Sequence, residues 1–340
     1  MNSSDASREL RLGVIGAGLI GRLRARAITS TPGLRLAAVA DLDAARAGEV
    51  ARGARVVADA GALWADLEID AVILATPPSS HEALGLACLE AGKHLLVEKP
   101  LAISVAGCQR LVDSAEQRGL VLATGFNLRL TRAALLARSL FDAGAIGALD
   151  HLRAFHGHPG GPEFTHAWIY DKAIAGGGAL MDNGIHVIDL MRWFLGDVTG
   201  GHGFATTHTW GKPGCEDNGF LLLRNERGNV ATLQASWTEW RGYGYRIEIY
   251  GTEGYIRFGY PPLQLVHGRR ARDGRISNRR YFFPSYQILE RMRGWESGLE
   301  ETLVLELLAF GRAIRSGSPP SASGRDGLEA VRIALSAARL

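Results

Sequence analysis

Asp182 and His186 stand four residues apart in the run Gly176-Gly-Gly-Ala-Leu-Met-Asp182-Asn183-Gly-Ile-His186. On a helix that spacing sets both side chains on one face, about 6 Å apart along the axis. The neighbours Ile185, Ile188, Leu190, Met191, Phe194 and Leu195 give the helix apolar faces to bury. A carboxylate and an imidazole among them are costly unless hydrogen-bonded or put to use. Asp182 could orient the ring of His186 and stabilise its protonated form, as a general base near neutral pH requires. A buried structural Asp–His hydrogen bond is the competing reading. The glycine run ahead of the pair would let a ligand approach closely.

Lysine is scarce. Of 38 basic residues only Lys93, Lys99, Lys172 and Lys212 are lysines, so a position that keeps one can need a compact ammonium that donates a proton. Lys99 lies in Glu98-Lys99-Pro100, at the end of an apolar strand-like run. Pro100 biases Lys99 towards extended backbone and permits a cis bond, and either fixes the direction of the side chain. An ordinary solvated lysine paired with Glu98 is the alternative.

A third pattern concerns phosphate. Gly16-Ala-Gly18-Leu19-Ile20-Gly21 follows a short apolar strand and opens a helical pattern. Strand, glycines and helix in that order form a dinucleotide fingerprint: a tight turn at Gly16, close approach of the pyrophosphate at Gly18, helix packing at Gly21. Helix-start N–H groups, including those of Leu19 and Ile20, then face the phosphates. Asp41, at the end of the second strand, would accept hydrogen bonds from both ribose hydroxyls and repel a 2′-phosphate, which favours NAD over NADP. Arg46 nearby weighs against that preference. Thr76-Pro77-Pro78 closes the next apolar strand of this set at the edge where ligands sit in parallel sheets. Thr76 and Pro77 are therefore placed along the cofactor channel, with His81 either a cofactor contact or a plain helix-start residue.

The elements that must position these residues fall into two patterns. From Leu12 to about Thr124, apolar runs (Leu12–Ile15, Leu34–Ala40, Ala71–Ala75, His94–Val97, Leu120–Ala123) alternate with helical segments. That alternation predicts a doubly wound parallel α/β sheet. After Phe126 a helix near 131–143 leads to strand-like runs near 150–157, 200–209, 220–223, 230–238, 245–250 and 255–258, with helices at 179–195, about 297–316 and 325–338. Short links such as Asn225–Gly228 and Gly251–Gly254 read as hairpins. The expected division is a Rossmann domain over residues 1–125 and an α+β domain with a largely antiparallel open sheet over 126–340. Alternating Leu233, Ala235 and Trp237, with Trp240, read as a sheet face turned away from the helices and not simply solvated.

Composition narrows the class. With 46% hydrophobic and 21% charged residues in 340, the chain can build packed cores and is not disordered. No apolar run nears the roughly 18 residues of a membrane span, and the polar residues before Leu10 lack the core of a signal peptide. A net charge of +3, spread out, implies no nucleic acid. Cys88, Cys108 and Cys215 are too far apart for a zinc or disulfide framework. A cytoplasmic protein is expected. His156-Gly-His158 puts two rings on one strand face, but without a third ligand of clear spacing no metal is assigned. The arginine-crowded stretch 267–293 reads as a solvated loop or subunit contact in preference to a phosphate patch.

Taken in order, Gly16-x-Gly18-x-x-Gly21, Thr76-Pro77 with His81, Glu98-Lys99-Pro100, Asp182-x-x-x-His186 and Gly251-Thr-Glu-Gly254 resemble the Gfo/Idh/MocA oxidoreductase family, over nearly the whole chain. The resemblance implies a dehydrogenase of a sugar, inositol or related polyol, in which Lys99, Asp182 and His186 surround the reacting carbon. It implies cofactor contacts from Glu98, Lys99 and Asn127, and substrate contacts from Lys99, Arg129, Asp182, Asn183 and His186. It also implies that chains pair through the sheet face of Leu233, Ala235 and Trp237 as a homodimer or homotetramer. Trp168 and Tyr170, in His166-Ala-Trp168-Ile-Tyr170, suit stacking on a sugar face near where family members hold substrate; a plain core or surface role is the alternative. Hydride would pass from a secondary alcohol to NAD while His186 takes the hydroxyl proton and Lys99 lowers its pKa. Coupled groups leave open which of the two removes the proton. Two other roles exist in the family: an enzyme that keeps and recycles its NAD for glycoside cleavage or sugar–sugar oxidoreduction, and a dinucleotide-binding sensor.

Overall fold

The computed structural model describes residues 8–161, 167–271 and 273–336. The N-terminal tail, His166, Arg272 and the end of the helix expected over 325–338 lie outside the described residues. The first unit begins β1 (Leu10–Ile15), α1 (Leu19–Thr29), β2 (Leu34–Ala40), α2 (Ala44–Ala51), β3 (Arg55–Val57), α3 (Gly61–Ala65) and β4 (Ala71–Leu74). It continues with α4 (His81–Glu90), β5 (His94–Val97), α5 (Val105–Gln117) and β6 (Leu122–Thr124). The strands form one six-stranded sheet in the order β3-β2-β1-β4-β5-β6, parallel throughout. Every residue of β4 is buried, as expected of a strand covered on both faces. The order reverses between β1 and β4, which puts a crevice at the carboxyl ends of those strands. Edge strand β3 escapes the sequence reading because it is three residues long and its Arg55 and Val56 are exposed.

The second unit contains α6 (Arg132–Asp142), β7 (Leu149–Gly157), α7 (Lys172–Ala175) and a π-helical turn (Leu180–Gly184) running into α8 (Ile185–Leu195). Then follow β8 (Val198–Thr206), β9 (Asn218–Asn225), β10 (Val230–Ser236), β11 (Gly244–Gly251), β12 (Gly254–Tyr260), β13 (Gln264–Arg270), β14 (Ile276–Phe282) and α9 (Pro284–Arg293). The eight-stranded sheet has the order β14-β13-β12-β11-β7-β10-β9-β8. Only β7 and β10 pair in parallel among its neighbours. Three expectations change here. The arginine-crowded stretch is the β13–β14 hairpin and α9, not a loop; its alternation is hidden because nearly all of β14 is exposed. Leu233, Ala235 and Trp237 are buried, and the register puts Leu233 beside Leu221 and Ala154 on the face that the π-turn covers. The open face instead carries Phe204, Phe220 and Leu222, while Trp240 is exposed beyond the end of β10.

Helices α10 (Glu296–Ser316) and α11 (Gly324–Ser336) complete the chain. Residues Trp295–Val331 form one compact unit with those up to Asn127, and Leu128–Gly294 with the residues from Arg332 onward form the other. That corrects the expected placement of everything beyond 126 in one domain. The reason is packing: Leu303, Leu307 and Phe310 of α10 join Leu10, Leu23, Ile28 and Leu34 in a single core.

Candidate active site

The turn after β1 is built from glycines with different obligations. Gly16 has φ +94°, and a Cβ there would lie 2.5 Å from the carbonyl oxygen of Ala75. A Cβ on Gly21 would stand 1.8 Å from the carbonyl oxygen of Gly16. Gly18 is different: a Cβ there would meet nothing within 4 Å, so no packing inside the protein requires glycine. Helix α1 starts at this open space with no capping side chain and no acidic residue in its first turn. By contrast, α2, α5 and α6 are capped by Asp43, Ser104 and Thr131. Uncapped N–H groups beside free space fit a pyrophosphate. The side chain of Ile20 packs on the core, so its part in such a site is its main chain, whereas Leu19 is exposed.

Asp41 accepts from the N–H of Ala17 at 2.6 Å through Oδ2 and from that of Asp43 at 2.9 Å through Oδ1. Each carboxylate oxygen keeps a second lone pair for a ribose hydroxyl. Arg46 turns to Asp43, 3.5 Å away. Thr76 Oγ1 lies 2.7 Å from Ser80 Oγ, which donates to the carbonyl of Pro77. His81, expected as a possible cofactor contact, is fully buried. Its ring nitrogens face the carbonyl oxygens of Pro100 at 2.9 Å and Thr76 at 2.8 Å. It staples the two loops at the sheet's edge and offers no open edge to a ligand. Burial holds its pKa below the ordinary imidazole value.

Lys99 follows β5, partly exposed, with a cis bond to Pro100. Glu98 Oε1 accepts from Arg24 Nε at 2.6 Å, and Arg24 Nη1 reaches Glu306 Oε2 at 2.5 Å. Arg24 and Glu306 are almost wholly buried, and the two carboxylates raise the pKa of Arg24 against its desolvation. Glu98, expected as a cofactor contact, therefore also has a partner inside the fold. Asn127 likewise turns inward, donating from Nδ2 to Thr302 Oγ1 at 2.9 Å.

In the second unit, Asp182 sits in the π-turn and His186 opens α8. π-Turns of this kind recur at functional sites. Between Ala175 and Met191, where every residue is described, only Asp182 and His186 are not buried. The glycine run serves the chain itself. Glu216 accepts from the N–H groups of Gly178 at 2.9 Å and Leu180 at 2.8 Å, and a Cβ on Gly178 would lie 2.2 Å from main-chain atoms of Glu216. The close approach expected of a ligand is made by Glu216. Burial pushes the Glu216 carboxyl above the usual range, against those two hydrogen bonds.

Asp182 Oδ2 lies 3.2 Å from His158 Nε2 and accepts from Trp237 Nε1 at 3.1 Å. His156 Nδ1 is 2.7 Å from the carbonyl oxygen of Asn183, whose Nδ2 donates to His156 O at 2.8 Å. Asn183, expected as a substrate contact, is a buried tie between β7 and the π-turn. Arg129 forms a buried bidentate pair with Asp189, at 2.7 and 2.5 Å, with the Trp193 ring centroid 5.7 Å away. Trp168 and Tyr170 remain partly exposed. The Tyr170 ring meets Trp237 edge-on at 5.3 Å, under Lys212 Nζ at 5.7 Å. Thiol chemistry has no support, since burial pushes Cys88 and Cys108 up to about 12. Sequence reasoning missed Arg24, Glu306, His158 as a partner of Asp182, Asp189 and Glu216. The adjacent acids Glu216 and Asp217, both buried, were the one local signal.

Two family models match this chain. Residues 10–126 match the oxidoreductase family with an NAD-binding Rossmann fold, and residues 134–257 match the GFO/IDH/MocA C-terminal domain. Inositol 2-dehydrogenase 2 of Saccharopolyspora erythraea is 34% identical over 96% of this chain and 91% of its own length. Myo-inositol 2-dehydrogenase of Thermotoga maritima is 30% identical over 96% and 95%. Among solved structures, a levoglucosan dehydrogenase in complex with NADH and levoglucosan superposes with a TM-score of 0.86 at 28% identity, covering 97% of each chain.

Proposed function

The chain belongs to the Gfo/Idh/MocA oxidoreductase family, and on that premise we propose that it oxidises a secondary alcohol of an inositol, sugar or related cyclic polyol with NAD. The observation that carries the reading is the pair Asp182 and His186, the only open positions in a stretch otherwise buried from Ala175 to Met191. Bound NAD supplies a hydride acceptor. Gly16, Gly18, Gly21 and Asp41 hold it, with Thr76 and Pro77 beside it. In this reading His186 takes the hydroxyl proton, Asp182 steadies the charge that results, and the Lys99 ammonium stabilises the developing alkoxide. Trp168 and Tyr170 offer rings to the apolar face of the substrate.

The partner reading is a two-fold homo-oligomer in the cytoplasm. It is supported by Phe204, Phe220 and Leu222 on the open sheet face and by three buried thiols. Light scattering at micromolar protein tests it, a monomer mass counting against it.

The activity is tested by following NADH absorbance with NAD and a panel of inositols, anhydrosugars, aldoses and alditols. At least one cyclic polyol should give steady release of NADH over many turnovers. A single burst without release would favour a retained cofactor. Failure of the whole panel would remove the reading.

A further inference from the structure

Two histidines at the end of β7 are held in opposite tautomers, and one of them bears on the chemistry. His156, in β7, and His158, one residue beyond its end, both turn toward the π-turn and are almost fully buried. His156 Nδ1 faces a carbonyl oxygen, that of Asn183 at 2.7 Å, so this nitrogen carries the proton. His158 is the reverse. Its Nδ1 accepts from the N–H of Gly160 at 3.1 Å. A nitrogen that accepts is bare, so the proton of the neutral ring is on Nε2, the atom 3.2 Å from Asp182 Oδ2. A loop N–H thus fixes the tautomer, and the tautomer makes the ring a donor to Asp182. Trp237 Nε1, on a side chain with no exposed surface, donates to the same oxygen at 3.1 Å. Two buried donors converging on one oxygen fix the rotation of the carboxylate.

We propose that His158 is a positioning residue for the chemical step, acting through Asp182. It touches Asp182 and needs no contact with substrate or cofactor. The inference rests on the reading of Asp182 as a member of the reacting site. Its physical basis is that a carboxylate free to swing by about 1 Å loses much of what orientation contributes, on the order of a hundredfold in rate.

Two substitutions separate the bond to Asp182 from the bond to Gly160. The amide nitrogen of Gln reaches the place of Nε2 and can donate to Asp182. The shorter Asn places its oxygen near Nδ1, keeps the acceptor for Gly160, and falls short of Asp182. We expect His158→Gln to retain kcat within a few-fold on the panel substrate that the wild type oxidises fastest. His158→Asn should lose about 10- to 100-fold in kcat, with KM within a few-fold and the Kd for NAD unchanged. The inference is overturned if Asn retains turnover, or if Gln and Asn fall together. Asp182→Asn is run alongside. If it keeps wild-type kcat, the reading of Asp182 is what failed. If it is crippled while His158→Asn is not, only the positioning role is lost. A wild type inactive on the whole panel overturns both. Melting curves for each variant show whether a loss of kcat is a loss of fold, and a His158→Gln chain that folds but is inactive counts against the inference.

Discussion

Two glycine runs precede two helices in this chain, and they serve opposite ends. At Gly16–Gly21 the helix start is left open. No side chain caps α1, and the space beside Gly18 is empty of protein. At Gly176–Gly178 the helix start is closed by the chain's own Glu216, whose carboxylate takes two N–H groups and whose main chain occupies the space a Cβ would need. Both runs look alike as sequence. What separates them is the identity of the atom that approaches: a ligand in the first case, a carboxylate of the protein in the second. An open start can bind an anion. A closed one can only hold side chains in place, which is why the proposed chemistry of the second unit is assigned to Asp182 and His186 and not to main-chain donors.

The largest expected effect breaks or confirms that division of labour. Asp182→Asn, His186→Ala and Lys99→Ala should each lower kcat by roughly 10²–10⁴, the range of general acid–base catalysis. The Kd for NAD should stay within a few-fold in all three. Single-turnover NADH formation at saturating NAD is the measurement, and wild-type rates in both His186→Ala and Lys99→Ala would mean that the chemistry lies elsewhere.

The glycines themselves give the next test. Gly178→Ala drives a methyl to 2.2 Å from the main chain of Glu216. An overpacked backbone contact costs about 3 kcal/mol, which in a chain of this size lowers Tm by roughly 4 °C. Gly18→Ala meets no protein atom within 4 Å. It should melt like the wild type yet bind NAD at least roughly tenfold more weakly, since the methyl takes the place of the pyrophosphate. If the two variants exchange phenotypes, the contrast between the helix starts is wrong.

How much of this was legible depended on whether the cause was local. The first unit's sheet could be read because β1, β2, β4 and β5 are continuous apolar runs separated by helical periods, and the glycine fingerprint lies within six residues. Strand β3 could not, being short and exposed. Lys99, Asp182 and His186 were legible as candidates by type, scarcity and spacing. Their supports were not: Arg24 meets Glu98 and Glu306 across long separations, and Arg129 meets Asp189 60 residues away. Charges paired over such distances leave no pattern along the chain. The same cause hides the buried partners of Asn183, Arg129 and His81, which along the chain look only like polar residues awaiting a ligand. The alternation Leu233, Ala235, Trp237 points to a face that is not simply solvated, but period two cannot say which side of a sheet the helices occupy, and the face expected to be open is the one the π-turn covers.

A smaller effect sharpens the open end. Because Asp41 is already fixed by the N–H groups of Ala17 and Asp43, its remaining lone pairs are preorganised for ribose hydroxyls. NADP would lose those bonds and add phosphate repulsion, a difference of a few kcal/mol, or about 10²-fold in Kd. Titration with both cofactors tests this, and tighter binding of NADP would reverse the assignment.

The smallest effect concerns the closed end and is a matter of pH. Burial raises the pKa of Glu216 above its ordinary value of 4.5, and the N–H groups of Leu180 and Gly178 only partly offset that. A carboxyl whose folded-state pKa lies above the unfolded one binds its proton more tightly in the native chain. Its contribution to stability is then fully present below about pH 4.5 and is lost as pH rises through the folded-state pKa. Glu216→Gln has the same length and no titration. The difference in Tm, wild type minus Glu216→Gln, should therefore fall between pH 4 and 7. A difference that grows over that interval would show that the two N–H bonds outweigh desolvation and that the ion is the preferred cap. That outcome would also reverse the comparison in part, because the closed start would then be an anion site after all, one whose anion the chain provides.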